Sequence, residues 1–147
     1  MYTEQLSQQL AVVAKLDPVS QGVGTTTPMT DIDMSKYRRL MIVLQVGAIG
    51  TGTVDPKLRE SKTSGGTYQD VTGGGITQVT ASNKVVTIEI RAGMLDAGYQ
   101  FVQLSLTIGT AAVLVGGVAL GGEAVHKPGG TSVGGNDIAA VTQRLVI

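Results

Sequence analysis

Three segments decide the fold: RRLMIVLQV at residues 38–46, VVTIEIR at residues 85–91 and YQFVQLSLTI at residues 99–108. In each segment the even-numbered residues are mostly large and aliphatic, and they alternate with residues that are more often polar. Alternation with a period of two places the aliphatic side chains on one face of an extended chain. We therefore predict three half-buried antiparallel strands whose even-numbered residues share one core between two sheets.

Two further strands are expected to be irregular. Residues 53–60 continue the strand pattern but contain Pro56, which has no N–H to donate to a neighbour, so this strand should lie at an edge or carry a bulge. Residues 112–120 are apolar almost throughout but are interrupted by Gly116 and Gly117. This composition favours a strand that bends at a bulge over a helix.

The remaining strand candidates are short. Alternation from Leu10 favours a strand at the N-terminal end of the chain, which Pro18 is expected to end. Residues 68–71 and 76–80 are further candidates, and the three glycines at 73–75 are expected to form a loop between them. Seven or eight short strands without a long helix predict an all-β domain over residues 1–128, a β-sandwich of jelly-roll-like or Greek-key type.

The last part of the chain, residues 129–147, differs in composition. A glycine-rich spacer is followed by a segment that becomes apolar again. Burial of a large aliphatic side chain is worth about 2 kcal/mol, so docking this extended C-terminal arm should contribute several kcal/mol. We expect the arm to dock on a neighbouring subunit, because the spacer gives it reach; the alternative is that it returns as the last strand of its own sheet. The candidate interface residues are Ile138, Val141, Leu145, Val146 and Ile147.

Composition bounds the classes of function. Lys+Arg and Asp+Glu both number 11, so the net charge is zero, which argues against a nucleic-acid partner and favours association between protein molecules. Cysteine is absent, and no apolar run approaches the roughly 18 residues of a membrane helix. The N-terminal residues do not resemble a secretion signal. We therefore expect folding in the cytoplasm, no membrane partner and stability that comes from packing and association.

The motifs that could carry chemistry are weak. GTSVG at residues 130–134 matches the pattern around a nucleophilic serine, but Ser132 lacks the strand and helix context and His126, the one histidine, lies upstream of it. A single histidine without cysteine gives no metal site. Asp31 and Asp33 could contact a cation, although a capping role in a turn is favoured. We predict that the protein is not an enzyme and binds no cofactor.

Several short pieces resemble, in the same order, the decoration or capsid cement proteins of tailed-phage heads. They are LDPV at 16–19, DMSKYRRL at 33–40, GITQVT at 75–80, YQFVQL at 99–104, IGTA at 108–111 and VALG at 118–121. The resemblance covers roughly residues 10–128 and does not include the glycine-rich tail.

The resemblance implies a jelly-roll-like virion protein on the outside of an icosahedral head. Such a protein would act as a dimer or trimer that clamps neighbouring major capsid subunits. Two alternatives stay open: another virion component, such as a head-completion or tail protein, and a carbohydrate-binding β-sandwich. The absence of tryptophan weakens the second alternative, because sugar sites commonly use aromatic platforms.

Overall fold

The computed structural model describes residues 5–126 and 137–145 of the chain. This part contains nine β-strands, one short helix, α1 (Leu6–Gln9), and one 3₁₀ turn, Ala92–Met94. The strands are β1 (Leu10–Gln21), β2 (Gly24–Thr26), β3 (Ile32–Asp33), β4 (Tyr37–Val46), β5 (Thr53–Ser61), β6 (Gln69–Gly75), β7 (Lys84–Arg91), β8 (Phe101–Gly109) and β9 (Val113–Ala124).

The strands form two antiparallel sheets packed as a sandwich, so the predicted all-β fold is confirmed. One sheet has the order β1-β9-β4-β7 and the other the order β2-β8-β5-β6, with β3 also paired to β8. Strands β2 and β3 lie one after the other along β8 and occupy a single position in their sheet. Counted this way, each sheet has four positions, and successive strands change sheet at every step except from β5 to β6, which is the order of a jelly roll.

The core lies between the sheets and is built from the even-numbered residues, as predicted. Leu40, Ile42, Leu44 and Val46 of β4 face Val102, Leu104, Leu106 and Ile108 of β8, and all are at most 2% exposed. Ile88 and Ile90 of β7 complete this face. Val86 is only half-buried, because β7 is the edge strand of its sheet and covers the core from one side only.

Both prolines of the sandwich strands lie beside irregular pairing. Pro56 is in β5, which is an interior strand, and the pairing of β5 with β6 shifts register between Lys57 and Arg59. The pairing beside Pro56 is therefore irregular, although the extra residues lie on β6, between Asp70 and Gly75, and not on β5 as we had expected. We predicted that Pro18 ends β1, but the strand continues past it to Gln21. This proline lies in a bulge where Asp17 and Pro18 oppose Gly116 of β9, a position that needs no N–H from residue 18.

Two predictions for the middle of the chain were wrong. Strand β6 extends through the glycines at 73–75, which we had expected in a loop, because pairing with β5 resumes at Gly75 after an interruption over residues 71–74. Residues 76–80 form no named strand; they contribute one isolated bridge, between Val79 and Val54. Short segments of this kind carry too little periodicity to fix their pairing.

Candidate interaction surface

The outer faces of the two sheets differ in chemistry. The outer face of the five-stranded sheet carries charged and hydroxyl side chains that pair with one another. Lys57 Nζ lies 2.8 Å from Asp70 Oδ2, Arg59 Nε lies 3.6 Å from Asp70 Oδ1, and the hydroxyls of Thr25 and Thr107 are 3.0 Å apart. These paired charged and hydroxyl groups give the surface the polar character of an ordinary solvent-facing surface.

The outer face of the four-stranded sheet is mostly aliphatic. Val12, Leu120 and Met41 lie opposite one another in one row across β1, β9 and β4. Val118 and Val43 lie opposite one another in the next row, at whose end Lys15 pairs with Val118. Leu114 lies further along β9, and is 45% exposed. We call this surface the aliphatic face: Leu10, Val12, Met41, Val43, Leu114, Val118 and Leu120.

Charged side chains surround the aliphatic face rather than interrupt it. Arg39 Nε pairs with Glu123 Oε1 at 2.8 Å at one end, and Lys15 pairs with Asp17 along β1. Glu89 lies at the β7 end of the row that contains Met41. An apolar centre with a charged rim of both signs is typical of a protein–protein interface.

A groove of about 600 Å³ lies at the β1 end of this face. Leu10, Val12 and Leu120 form its floor, and Leu6 of α1 and Leu145 of the C-terminal arm form its sides. Leu6 is 68% exposed and Leu145 is 83% exposed. The groove therefore extends the aliphatic face, and two of the leucine side chains that line it are exposed to solvent.

The described part of the arm, residues 137–145, is attached to the free edge of β1. The amide of Val12 donates to Oδ1 of Asp137 at 2.8 Å, and the amide of Ile138 donates to the carbonyl of Val12 at 2.8 Å. Arg144 Nη1 donates to the carbonyl of Ser7 at 2.9 Å, and its other terminal nitrogen pairs with Asp137. The arm thus covers polar backbone groups that an edge strand otherwise leaves open.

Asp137 anchors this attachment. Its side chain is fully buried and that of Arg144 is only 15% exposed, so the pair is shielded from water. A buried carboxylate needs such partners, because an unpaired buried charge is strongly unfavourable. Burial, with the negative charge of Asp137 added to it, raises the pKa of Tyr37 above its usual value.

The predicted interface residues of the arm differ in how far the structure buries them. Ile138 is half-buried against Val13, Ile32 and Tyr37 of its own domain, and Val141 is half-buried, whereas Leu145 is exposed beside the groove. Val146 and Ile147 lie outside the described residues. In residues 137–145 the arm neither leaves its domain nor forms a strand of the sheet. Contact between the arm and another subunit stays a prediction.

The other candidate residues of the sequence have structural roles or lie outside the described part. Asp33 accepts from the amide and hydroxyl of Ser35, which confirms the turn interpretation for this residue. Asp31 instead accepts from the amide of Gly65 at 2.8 Å, 34 residues away, so it joins two loops and forms neither a turn nor a cap. Within residues 5–126 and 137–145, no cluster of three metal-ligating side chains is found. His126 is exposed just beyond β9. Ser132 lies outside the described residues.

Sequence reasoning missed the aliphatic face, although two signals for it were present. The face of residues 38–46 opposite the core includes Met41 and Val43, and residues 112–120 are apolar on both faces of the strand. Either signal alone fits a strand buried on both sides. The structure brings the two segments together as neighbours, with one of their shared faces uncovered by the described chain.

Comparison with known proteins adds no relative. A scan against models of known protein families finds no match for the chain. A search of curated protein sequences likewise finds no match. In the described residues, no helix is both long and apolar enough to cross a membrane.

Proposed function

We propose that the protein is a structural, non-enzymatic component of a tailed-phage virion that binds the outside of the icosahedral head and clamps neighbouring major capsid subunits. The aliphatic face carries this proposal. An uncovered aliphatic surface on the four-stranded sheet, opposite a polar surface on the other sheet, supports a module that has one side for a protein partner and one side for solvent.

The partner contact would bury side chains that are now partly in water. Val118, in the middle of the face, is 37% exposed, and Leu114, near the start of β9, is 45% exposed. Their burial gains free energy from the removal of apolar area from water, and the charged rim would fix the orientation of the partner. Association of this kind requires shape and apolar area and needs no catalytic group or cofactor.

The same surface would act repeatedly on a symmetric shell. A dimer or trimer placed on a local symmetry axis contacts several capsid subunits, so individually modest contacts combine through effective concentration. Because such a protein binds the assembled shell and not the separated subunits, it stabilises the shell by linkage. The jelly-roll domain and the order of the sequence pieces described above agree with this role.

The test introduces a charge into the aliphatic face. Val118→Glu should abolish co-sedimentation with shells of the cognate major capsid protein, because a carboxylate would be desolvated at the centre of the contact. The matched control is Thr25→Glu, which places the same charge on the outer face of the other sheet. The control should co-sediment like the unsubstituted protein, and both variants should keep a cooperative thermal transition.

Three outcomes would contradict the proposal. The first is that the unsubstituted protein fails to bind shells, and the second is that it binds free capsid subunits as well as shells. The third is that both substitutions weaken shell binding equally, which would show that the aliphatic face has no special part. Cryo-electron microscopy of virions adds an independent check, since a protein found only at the tail or the head vertex is a different virion component.

A further inference from the structure

The contacts that hold the arm form a compact docking site on the domain. They join Asp137, Ile138 and Arg144 of the arm to the backbone of Ser7 and Val12. Every other copy of the chain presents the same backbone groups at the same edge. We propose that the arm is exchanged between copies, so that residues 137–145 of one subunit dock on α1 and β1 of a second subunit.

The length of chain before the arm permits exchange as well as docking on the same domain. Strand β9 ends at Ala124, and Gly122 pairs with Leu10 of β1, so the arm site at Val12 lies close to the end of β9. From strand spacing and rise, the separation within one subunit is roughly 16 Å. Residues 125–136 connect the two points and can extend to about 40 Å. The connection is therefore more than twice as long as docking on the same domain requires.

Exchange would also cover the groove beside the arm. In a single chain Leu145 is 83% exposed and Leu6 is 68% exposed, and both line a groove together with Leu10, Val12 and Leu120. When two domains are joined by their arms, these side chains are brought to the boundary between subunits, where each domain can shield the groove of the other. The buried pair of Asp137 and Arg144 is identical in the two arrangements, so the choice between them depends on this additional burial.

The inference rests on the proposed homo-oligomer and specifies how its subunits are joined. Exchange of identical arms closes a dimer when it is reciprocal and a ring when it passes from one subunit to the next. In either case the arm ties the subunits together without using the middle of the aliphatic face. That face then stays available for the capsid.

A cross-linking experiment tests the exchange directly, because the chain contains no cysteine. One copy carries Ser7→Cys and the other Leu145→Cys, two positions that line the same groove. After the two are mixed and treated with a short bis-maleimide, we expect a covalent heterodimer. Addition of Arg144→Ala to the Leu145→Cys copy should reduce the heterodimer several-fold, because the arm loses its contact with the Ser7 carbonyl.

The chain that carries both cysteines distinguishes the two arrangements. A product that is entirely intramolecular, with no heterodimer from the mixed copies, would overturn the exchange. A heterodimer that forms equally well with Arg144→Ala would overturn it too, since the contact would then not use the docked arm.

Shortening the connection provides the second test. Removal of residues 130–135 leaves a connection of at most about 20 Å, which still reaches the site on the same domain. This variant should remain folded, as measured by its thermal transition, and should be a monomer in light scattering where the full chain is an oligomer. An unchanged oligomer would refute the exchange. Shell binding is measured separately. An exchanged dimer that does not bind shells would refute only the proposed function. Shell binding without exchange would refute only this inference.

Discussion

The ring of Tyr37 packs on the backbone of Gly121, in the space that a side chain at position 121 would occupy. A Cβ atom built on Gly121 would lie 2.6 Å from Cδ1 of the ring. Tyr37 is buried with Ala11 and Ala124 in a small cluster near the end of β9, apart from the main core. Glycine at this position therefore lets an aromatic ring close one end of the four-stranded sheet.

We predict that Gly121→Ala lowers the free energy of unfolding by about 1–3 kcal/mol, because the added methyl group overpacks the site against Tyr37. The measurement is urea denaturation followed by circular dichroism. The control is Gly75→Ala on β6, where the nearest atom to the new Cβ is Lys57 Cβ at 4.0 Å. The control should change stability by less than 1 kcal/mol. Equal effects of the two substitutions would show that the ring moves aside without cost.

A buried carboxylate lies at the end of β5, in the five-stranded sheet. Glu60 is 1% exposed; its Oε1 accepts from Gln69 Nε2 at 2.9 Å, and its Oε2 accepts from the amide of Asp96 at 3.1 Å. Gln69 also donates to Asp96 Oδ2 at 2.7 Å and accepts from the hydroxyl of Tyr99 at 3.0 Å. Glu60 thereby fixes the loop after the 3₁₀ turn against β5 and β6.

We predict that Glu60→Ala lowers the free energy of unfolding by about 2–3 kcal/mol, because the hydrogen bonds to this buried charged group are lost. Glu60→Gln keeps one acceptor oxygen and should cost about 1 kcal/mol. The matched control is Glu89→Ala, a glutamate exposed on β7, which should stay within about 0.5 kcal/mol of the original protein. If denaturation midpoints of the two alanine variants coincide, the hydrogen bonds of Glu60 do not stabilise the domain.

The sequence was sufficient to predict the fold class and most of the core. Alternation in β4, β7 and β8 identified the buried faces because each strand has one face in the core. Aliphatic side chains then recur at every second residue, on the buried face. We predicted a bulge within residues 112–120 from Gly116 and Gly117, but β9 pairs with β4 without a register shift, and the bulge opposite Gly116 lies on β1, around Pro18. Pairing between residues distant in sequence decides which strand carries the extra residue.

The order of the strands and the candidate site were beyond sequence reasoning for the same physical cause. The pairing of β1 with β9 joins residues 10–21 to residues 113–122, and nothing local in either segment specifies the other. The aliphatic face exists only when β4 and β9 are neighbours. The attachment of Asp137 to Val12 spans 125 positions and depends on a single side chain rather than a pattern.

The turn at Asp33 gives a prediction for acid pH. Burial raises the pKa of Asp33, but donation from the hydroxyl of Ser35 at 2.7 Å, from Gln100 Nε2 at 2.8 Å and from the Ser35 amide at 2.9 Å, with the charge of Lys36 nearby, more than offsets it. The pKa of Asp33 is therefore lower than its usual 3.8.

Because the pKa of Asp33 is lowered by folding, its carboxylate stabilises the native state fully above the unfolded value and loses this contribution as the pH falls through the folded value. We predict that Asp33→Asn lowers stability near pH 6 and flattens the decline in stability between pH 5 and the acid limit of folding. The measurement is the urea midpoint of both proteins at several pH values across this window. Asp31→Asn should act in the same direction, since the pKa of Asp31 is also lowered. Parallel pH profiles for Asp33→Asn and the unsubstituted protein would mean that the charge of Asp33 contributes nothing to the turn.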